Sequence, residues 1–264
     1  MGARREDDMA FDAGKTVTAT PLLSLGRWWW ALVGMGALFW AAGLLMWAQQ
    51  ASGASLDRDV LFFFDPLRQA DSWALRVARG LTSYGMAAIT AIYLLLLLLG
   101  SRFKQIEPPA GLYLLVIFSF GLSGVGGDLL KDLLDRPRPM VTYAEQLLVL
   151  SNAATPALPS GHATKSLALA LPLLFLLPGR SLFQRGVKVL TLILALGVGF
   201  SRVLLGAHYL SDVLAGIGTA LVGLPAAMLF ANLLLRRIRP EQLPRRRLVW
   251  GLLLVVLTCL FMLM

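Results

Sequence analysis

The chain has 264 residues, of which 57% are hydrophobic and 15% charged; soluble globular domains run at about 45–50% apolar and about 25% charged, and no long polar linker divides this one, so it reads as one integral membrane domain over 1–264. The net charge of +9 and pI near 10.3 come without zinc-finger spacing or a separate basic domain. They are therefore assigned to cytoplasmic loops rather than to a nucleic-acid partner, and the lone Cys259 excludes a disulfide framework or a cysteine metal cluster.

About 20 apolar residues cross a bilayer as a helix. Seven runs compete for that role: 28–48, 84–100, 110–130, 164–177, 187–205, 213–235 and 248–264. The first is longer than the hydrophobic region of a cleaved leader, so it reads as a retained span although small residues follow it at 51–54. The last is 17 residues long, with an interfacial helix as its alternative. The sequence thus predicts an all-α, polytopic membrane helix bundle of six to seven transmembrane helices.

Lys and Arg set the orientation. With residues 1–27 cytoplasmic, the inner segments hold 15 of the 24 basic residues, and six arginines lie in 236–247. Cytoplasmic loops collect such charge. The loops after the third and fifth spans then face outward, to the periplasmic side of a bacterial inner membrane. Segment 56–80 mixes apolar and charged residues around Pro66. It reads as two short helices on the outer surface, either a connector or a guide in which Phe62, Phe63, Phe64 and Trp73 lead a lipid to a site.

Three short stretches carry chemistry. In 131-KDLLDRPRP-139, Pro137 and Pro139 end a helix, with Lys131 and Arg138 at its outer end. Either cation alone reads as a headgroup anchor with its charge in the interface, and Arg136 is left with that role. In 159-PSGH-162, Ser160 suits an N-cap and Gly161 allows tight backbone geometry. A helix start there would offer N–H groups and a positive dipole end to an anion, with His162 beside it. In 201-SRVLLGAHYLSD-212, His208 and Asp212 are four apart, one helical face. A carboxylate so placed holds an imidazole in one tautomer. Arg202 offers a planar fork to phosphate oxygens, and Ser201 lies two turns before His208. Each feature has an ordinary explanation: a cap with a bystander histidine, or a structural His–Asp pair. Both histidines of the chain fall among three cations and a carboxylate at outward span ends, so independent accidents become improbable.

The three stretches resemble the motif set of the type 2 phosphatidic acid phosphatase superfamily: K-x6-RP as Lys131 to Arg138-Pro139, PSGH unchanged at 159–162, and SR-x5-H-x3-D as Ser201-Arg202, His208 and Asp212. The resemblance covers 131–212, and the surrounding spans fit the membrane branch of the family. It implies a helical bundle with the site at its outer, periplasmic rim, and a seventh run, at 248–264, beyond the six spans usual there. That run is expected not to touch the motifs.

The resemblance also implies a mechanism. His208 would attack phosphorus and form a phosphohistidine, Asp212 would orient it, and His162 would protonate the leaving oxygen. Lys131, Arg138, Ser160, Gly161 and Arg202 would hold the phosphate. No metal or other cofactor is implied, and activity in a chelator follows. The implied function is an integral membrane lipid phosphatase. Its candidate substrates are undecaprenyl diphosphate, phosphatidylglycerol phosphate, phosphatidate and lipid A 1-phosphate. The alternatives are a phosphotransferase to lipid A and, from another class, a lipid transporter; a haloperoxidase suits so hydrophobic a chain least.

Overall fold

In the computed structural model the described residues are 23, 26, 28–50, 55–70, 72–103, 108–109, 111–148, 150, 155–239 and 242–263. Most of the predicted inner segment 1–27, and the small-residue stretch 51–54, lie outside them. The described chain is all helical: α1 (Trp28–Gln49), α2 (Leu56–Phe63), α3 (Asp65–Gln69), α4 (Trp73–Arg102), α5 (Gly111–Leu134), α6 (Pro139–Thr142), α7 (Gly161–Leu176), α8 (Leu182–Leu204), α9 (Leu210–Leu235) and α10 (Leu243–Leu263).

Helices Trp28–Gln49, Trp73–Gly100, Gly111–Thr142, Leu182–Leu204 and Leu210–Leu235 are long and apolar enough to cross a membrane, and Gly161–Leu176 is a shorter apolar helix. Large apolar side chains such as Leu38, Leu98, Leu129, Leu133 and Leu182 point outward from these helices. In water such a surface would be costly; in lipid it is the expected face.

Helix α7 is central and packs on α5, α8 and α9; α1 lies on α9, α4 on α8, and α10 on α4 and α5. Lipid removes the hydrophobic drive between helices, so association leans on close backbone approach and interhelical hydrogen bonds. Both are present. A Cβ on Gly218 of α9 would stand 2.7 Å from the Gly36 carbonyl of α1. Tyr93 donates to the Leu169 carbonyl at 2.6 Å, Ser119 to that of Ala168 at 2.9 Å, and Ser166 to that of Ala195 at 3.0 Å.

The segment expected to form two surface helices divides differently. Ser55 caps α2 and Pro66 opens α3, but residues 73–80 belong to α4, which starts behind the Ser72 N-cap and continues through the second span. Nor does the segment merely rest on the surface. Arg68 is buried, with bonds to Asp65 and to the carbonyls of Leu61, Val203 and Leu204. It thereby satisfies carbonyls at the C-terminal end of α8, which the helix cannot pair itself.

Candidate active site

The chain alternates direction, so the C-terminal ends of α1, α5, α8 and α10 meet the N-terminal ends of α7 and α9 at one end of the bundle. There a cleft of about 810 Å³ opens, lined by Lys131, Arg138, Gly161, His162, Arg202 and His208 among others. Six of the eight residues expected for the site thus share one cavity. Asp212 lies behind His208 and Ser160 caps α7.

Local chemistry explains the placement. Helix α8 ends at Leu204, and Gly206 makes the turn with φ +70°, a left-handed conformation that glycine tolerates best. His208 therefore lies between two helices and not on one. Its pairing with Asp212 follows from the first turn of α9, where the Asp212 carboxylate bends back to accept from the Tyr209 N–H at 2.9 Å. The same Oδ2 lies 3.3 Å from His208 Nδ1. Ser201, expected on the His208 face, instead donates to Val198 O at 2.7 Å within α8.

The tautomer of His208 follows from its other nitrogen. Arg138 Nη1 lies 3.1 Å from Nε2. A guanidinium only donates, so Nε2 carries the lone pair and the ring proton sits on Nδ1, facing Asp212. His208 is 2% exposed. Burial pushes its pKa well below the usual histidine value of 6.5, and Arg138, Arg202 and Lys131 push in the same direction. The imidazole is thus neutral, oriented, and nucleophilic at the nitrogen that faces the cleft cations.

Those cations are held in place. Arg138 donates to Thr155 O at 2.6 Å, Thr155 Oγ1 at 2.9 Å and Ala207 O at 3.1 Å. Arg202 donates to Thr82 Oγ1 of α4 at 2.8 Å. Lys131 pairs with Asp128 at 3.4 Å, and its Nζ is 3.1 Å from where a Gly161 Cβ would stand. Ser160 occupies the N-cap of α7 without a side-chain cap bond. Its Oγ and Arg202 Nε are buried and unbonded among the described residues. Buried donors of this kind carry a desolvation cost unless matched, and a phosphate oxygen matches both. The free N–H groups at the start of α7 add donors of the same sign.

Three features escaped the sequence reading. Arg136, expected as a headgroup anchor, is 1% exposed. Its guanidinium donates to Asp212 Oδ1 at 2.6 Å, Ser211 Oγ at 2.6 Å and Asp57 Oδ2 at 2.9 Å. It also stacks 4.1 Å over the Tyr209 ring. Asp57, from α2, accepts from the Ser211 N–H at 2.9 Å and bonds Ser211 Oγ as well. Third, the run expected not to touch the motifs does so: the Phe261 ring of α10 lies 6.0 Å from that of His162. An apolar pattern cannot signal any of these contacts in advance.

Residues 112–232 match the sequence model described as the PAP2 superfamily. The match covers a little under half of the chain and includes both histidines. Undecaprenyl-diphosphatase BcrC of Bacillus subtilis (strain 168) is 28% identical over 146 residues, which are 54% of this chain and 67% of that protein. Phosphatidylglycerophosphatase B of the same organism is 28% identical over 155 residues, 57% and 71% respectively. The fold resembles that of the transmembrane PAP2-type phosphatidylglycerolphosphate phosphatase from Bacillus subtilis, with a TM-score of 0.54 at 23% identity over 78% of this chain and 96% of the other. The chain is a membrane protein, and the two curated relatives are lipid phosphatases.

Proposed function

We propose that this PAP2 chain hydrolyses a phosphate monoester or diphosphate on a membrane lipid through a phosphohistidine at His208. The observation that carries the reading is the neutral His208 ring, with Nδ1 toward Asp212 and Nε2 among cleft cations. Phosphate would bind between Lys131, Arg138, Arg202, Ser160 and the Gly161 N–H, with Arg138 exchanging Nε2 for a phosphate oxygen. Nε2 then attacks phosphorus. The P–O bond to the lipid breaks, its electron pair goes to the leaving oxygen, and His162 supplies that oxygen with a proton. In the second half His162 takes a proton from water, the water oxygen bonds phosphorus, and the N–P electron pair returns to Nε2. Fixed charges and donors do most of this work, as expected where charge builds on equatorial oxygens.

The relatives suggest undecaprenyl diphosphate and phosphatidylglycerol phosphate as first candidates, alongside phosphatidate and lipid A 1-phosphate. In the proposed topology one membrane domain sits in a bacterial inner membrane with the site facing the periplasm. Support comes from the arginines of 236–247, which lie in the turn after α9 and in the first turns of α10, opposite the cleft. The test is phosphate release by the detergent-purified protein in EDTA, across the four lipids, with His208→Ala as control. Release that vanishes in the mutant supports hydrolysis. A phosphorylated acceptor lipid without free phosphate indicates the phosphotransferase, and lipid flux that survives His208→Ala indicates a transporter.

A further inference from the structure

Helix α10 lies outside the matched region 112–232, yet it walls the cleft with Leu257, Leu260 and Phe261. It is fixed there by packing on α4 and α5, and Thr258 bonds Thr90 of α4 at 3.1 Å. Phe261 is the centre of a small cluster. Its ring meets the His162 ring at 6.0 Å with a 64° tilt and the Phe120 ring at 6.0 Å with an 84° tilt. Lys165 Nζ sits 4.1 Å from its centroid.

His162 and Lys165 are three apart on α7, so one turn presents both to α10. Lys165 is also tied to Asp128 at 3.2 Å, and Asp128 reaches Lys131. Aromatic edges and faces hold neighbours at defined angles, and a ring face attracts a cation. Phe261 thus fixes the tilt of the imidazole while holding the neighbouring ammonium to one side of it. His208 is oriented by a carboxylate, whereas His162 packs against Phe261 in a tilted, T-shaped ring pair.

We propose that Phe261 is a positioning residue for His162, and that α10 is thereby part of the reaction site. The inference rests on the reading of His162 as the proton donor to the leaving oxygen. An alkoxide leaving group needs that proton; a nitrophenolate leaves without it. Misplacing His162 therefore slows alkyl esters selectively.

The experiment compares octyl phosphate with 4-nitrophenyl phosphate for the full-length wild type, Phe261→Leu, Phe261→Tyr and His162→Ala in detergent. Phe261→Leu keeps apolar volume and loses the ring, so it guards against a fold collapse that Phe261→Ala could cause. Its kcat should fall about tenfold more on the octyl ester than on the nitrophenyl ester, a fraction of the about 10²–10⁴ supplied by a positioned acid, and Phe261→Tyr should restore it. Equal loss on both esters, or none, overturns the proposal. The chain has only two histidines, so their NMR signals give a second readout. The His162 signal should shift in Phe261→Leu while that of His208 stays; a fixed His162 signal also overturns the inference. If His162→Ala itself slows both esters equally, the acid assignment fails, and the NMR shift alone then decides whether Phe261 orients that ring.

Discussion

Arg136 is the residue whose removal should cost most outside the cleft. It is buried between Asp57 and Asp212, and its two terminal nitrogens serve both carboxylates. Arg136→Met keeps most of the length and removes the charge, leaving two buried carboxylates facing each other's site. Breaking a buried ion pair by removing one partner costs about 3–5 kcal/mol, and that is the expected loss in denaturant unfolding in detergent, followed by tryptophan fluorescence. Activity should fall too, because Arg136 pins Oδ1 while Oδ2 faces His208. A kcat decrease of about 10–10² is expected, short of the about 10⁴ that follows a wrong tautomer in hydrolase triads. Arg136→Lys should be intermediate, since an ammonium lacks the fork that spans two acceptors. Adding Asp57→Asn to Arg136→Met should return part of the stability and none of the kcat, because one unpaired charge is gone but Asp212 remains loose. Wild-type stability and kcat in Arg136→Met would refute the reasoning.

Gly216 of α9 faces the PSGH turn, where a Cβ would come within 2.8 Å of Ser160 O and 3.0 Å of Ala163 Cβ. Gly216→Ala should therefore cost about 1–3 kcal/mol and lower kcat/KM by displacing the phosphate site, as phosphate-release kinetics will show. His208 binds fewer protons in the native state than in the unfolded chain once the pH falls below about 6.5. Stability should decline from that pH downward, and pH-dependent unfolding of His208→Gln should lack this component. Phe63 is strongly exposed beside Phe64, which packs on Phe200. Substituting Phe62–Phe64 with alanine should raise KM for long-chain lipids more than for a soluble phosphate ester; equal effects on both would remove the lipid-guiding role.

The parts of the site legible in the sequence are those in which a residue and its neighbour are close along the chain. Asp212 follows His208 by four, and their contact was foreseeable although the local geometry is a helix start and not a helix face. The helical membrane class was legible because long apolar runs have few alternatives. What stayed hidden depends on distance. Asp57 and Arg136 are 79 positions apart, and an arginine at the end of a span usually holds its charge in the interface, so its burial had no local signal. Residues 73–80 looked peripheral because Arg76 and Arg79 interrupt the apolar pattern, yet helix propagation past Ser72 needs no apolar face. Phe261 was one more apolar residue in an apolar run until the bundle set it beside His162.

Transfer of the phosphate to His208 is the step on which the proposed reaction depends. The most direct measurement is to mix the purified protein with phosphorus-labelled lipid phosphate, quench with base, and analyse the protein for phosphohistidine. The expected result is a base-stable, acid-labile phosphoprotein that maps to residue 208 and is absent from His208→Ala. Label on another residue, or rapid phosphate release with no label in wild type and undiminished in His208→Ala, would contradict it.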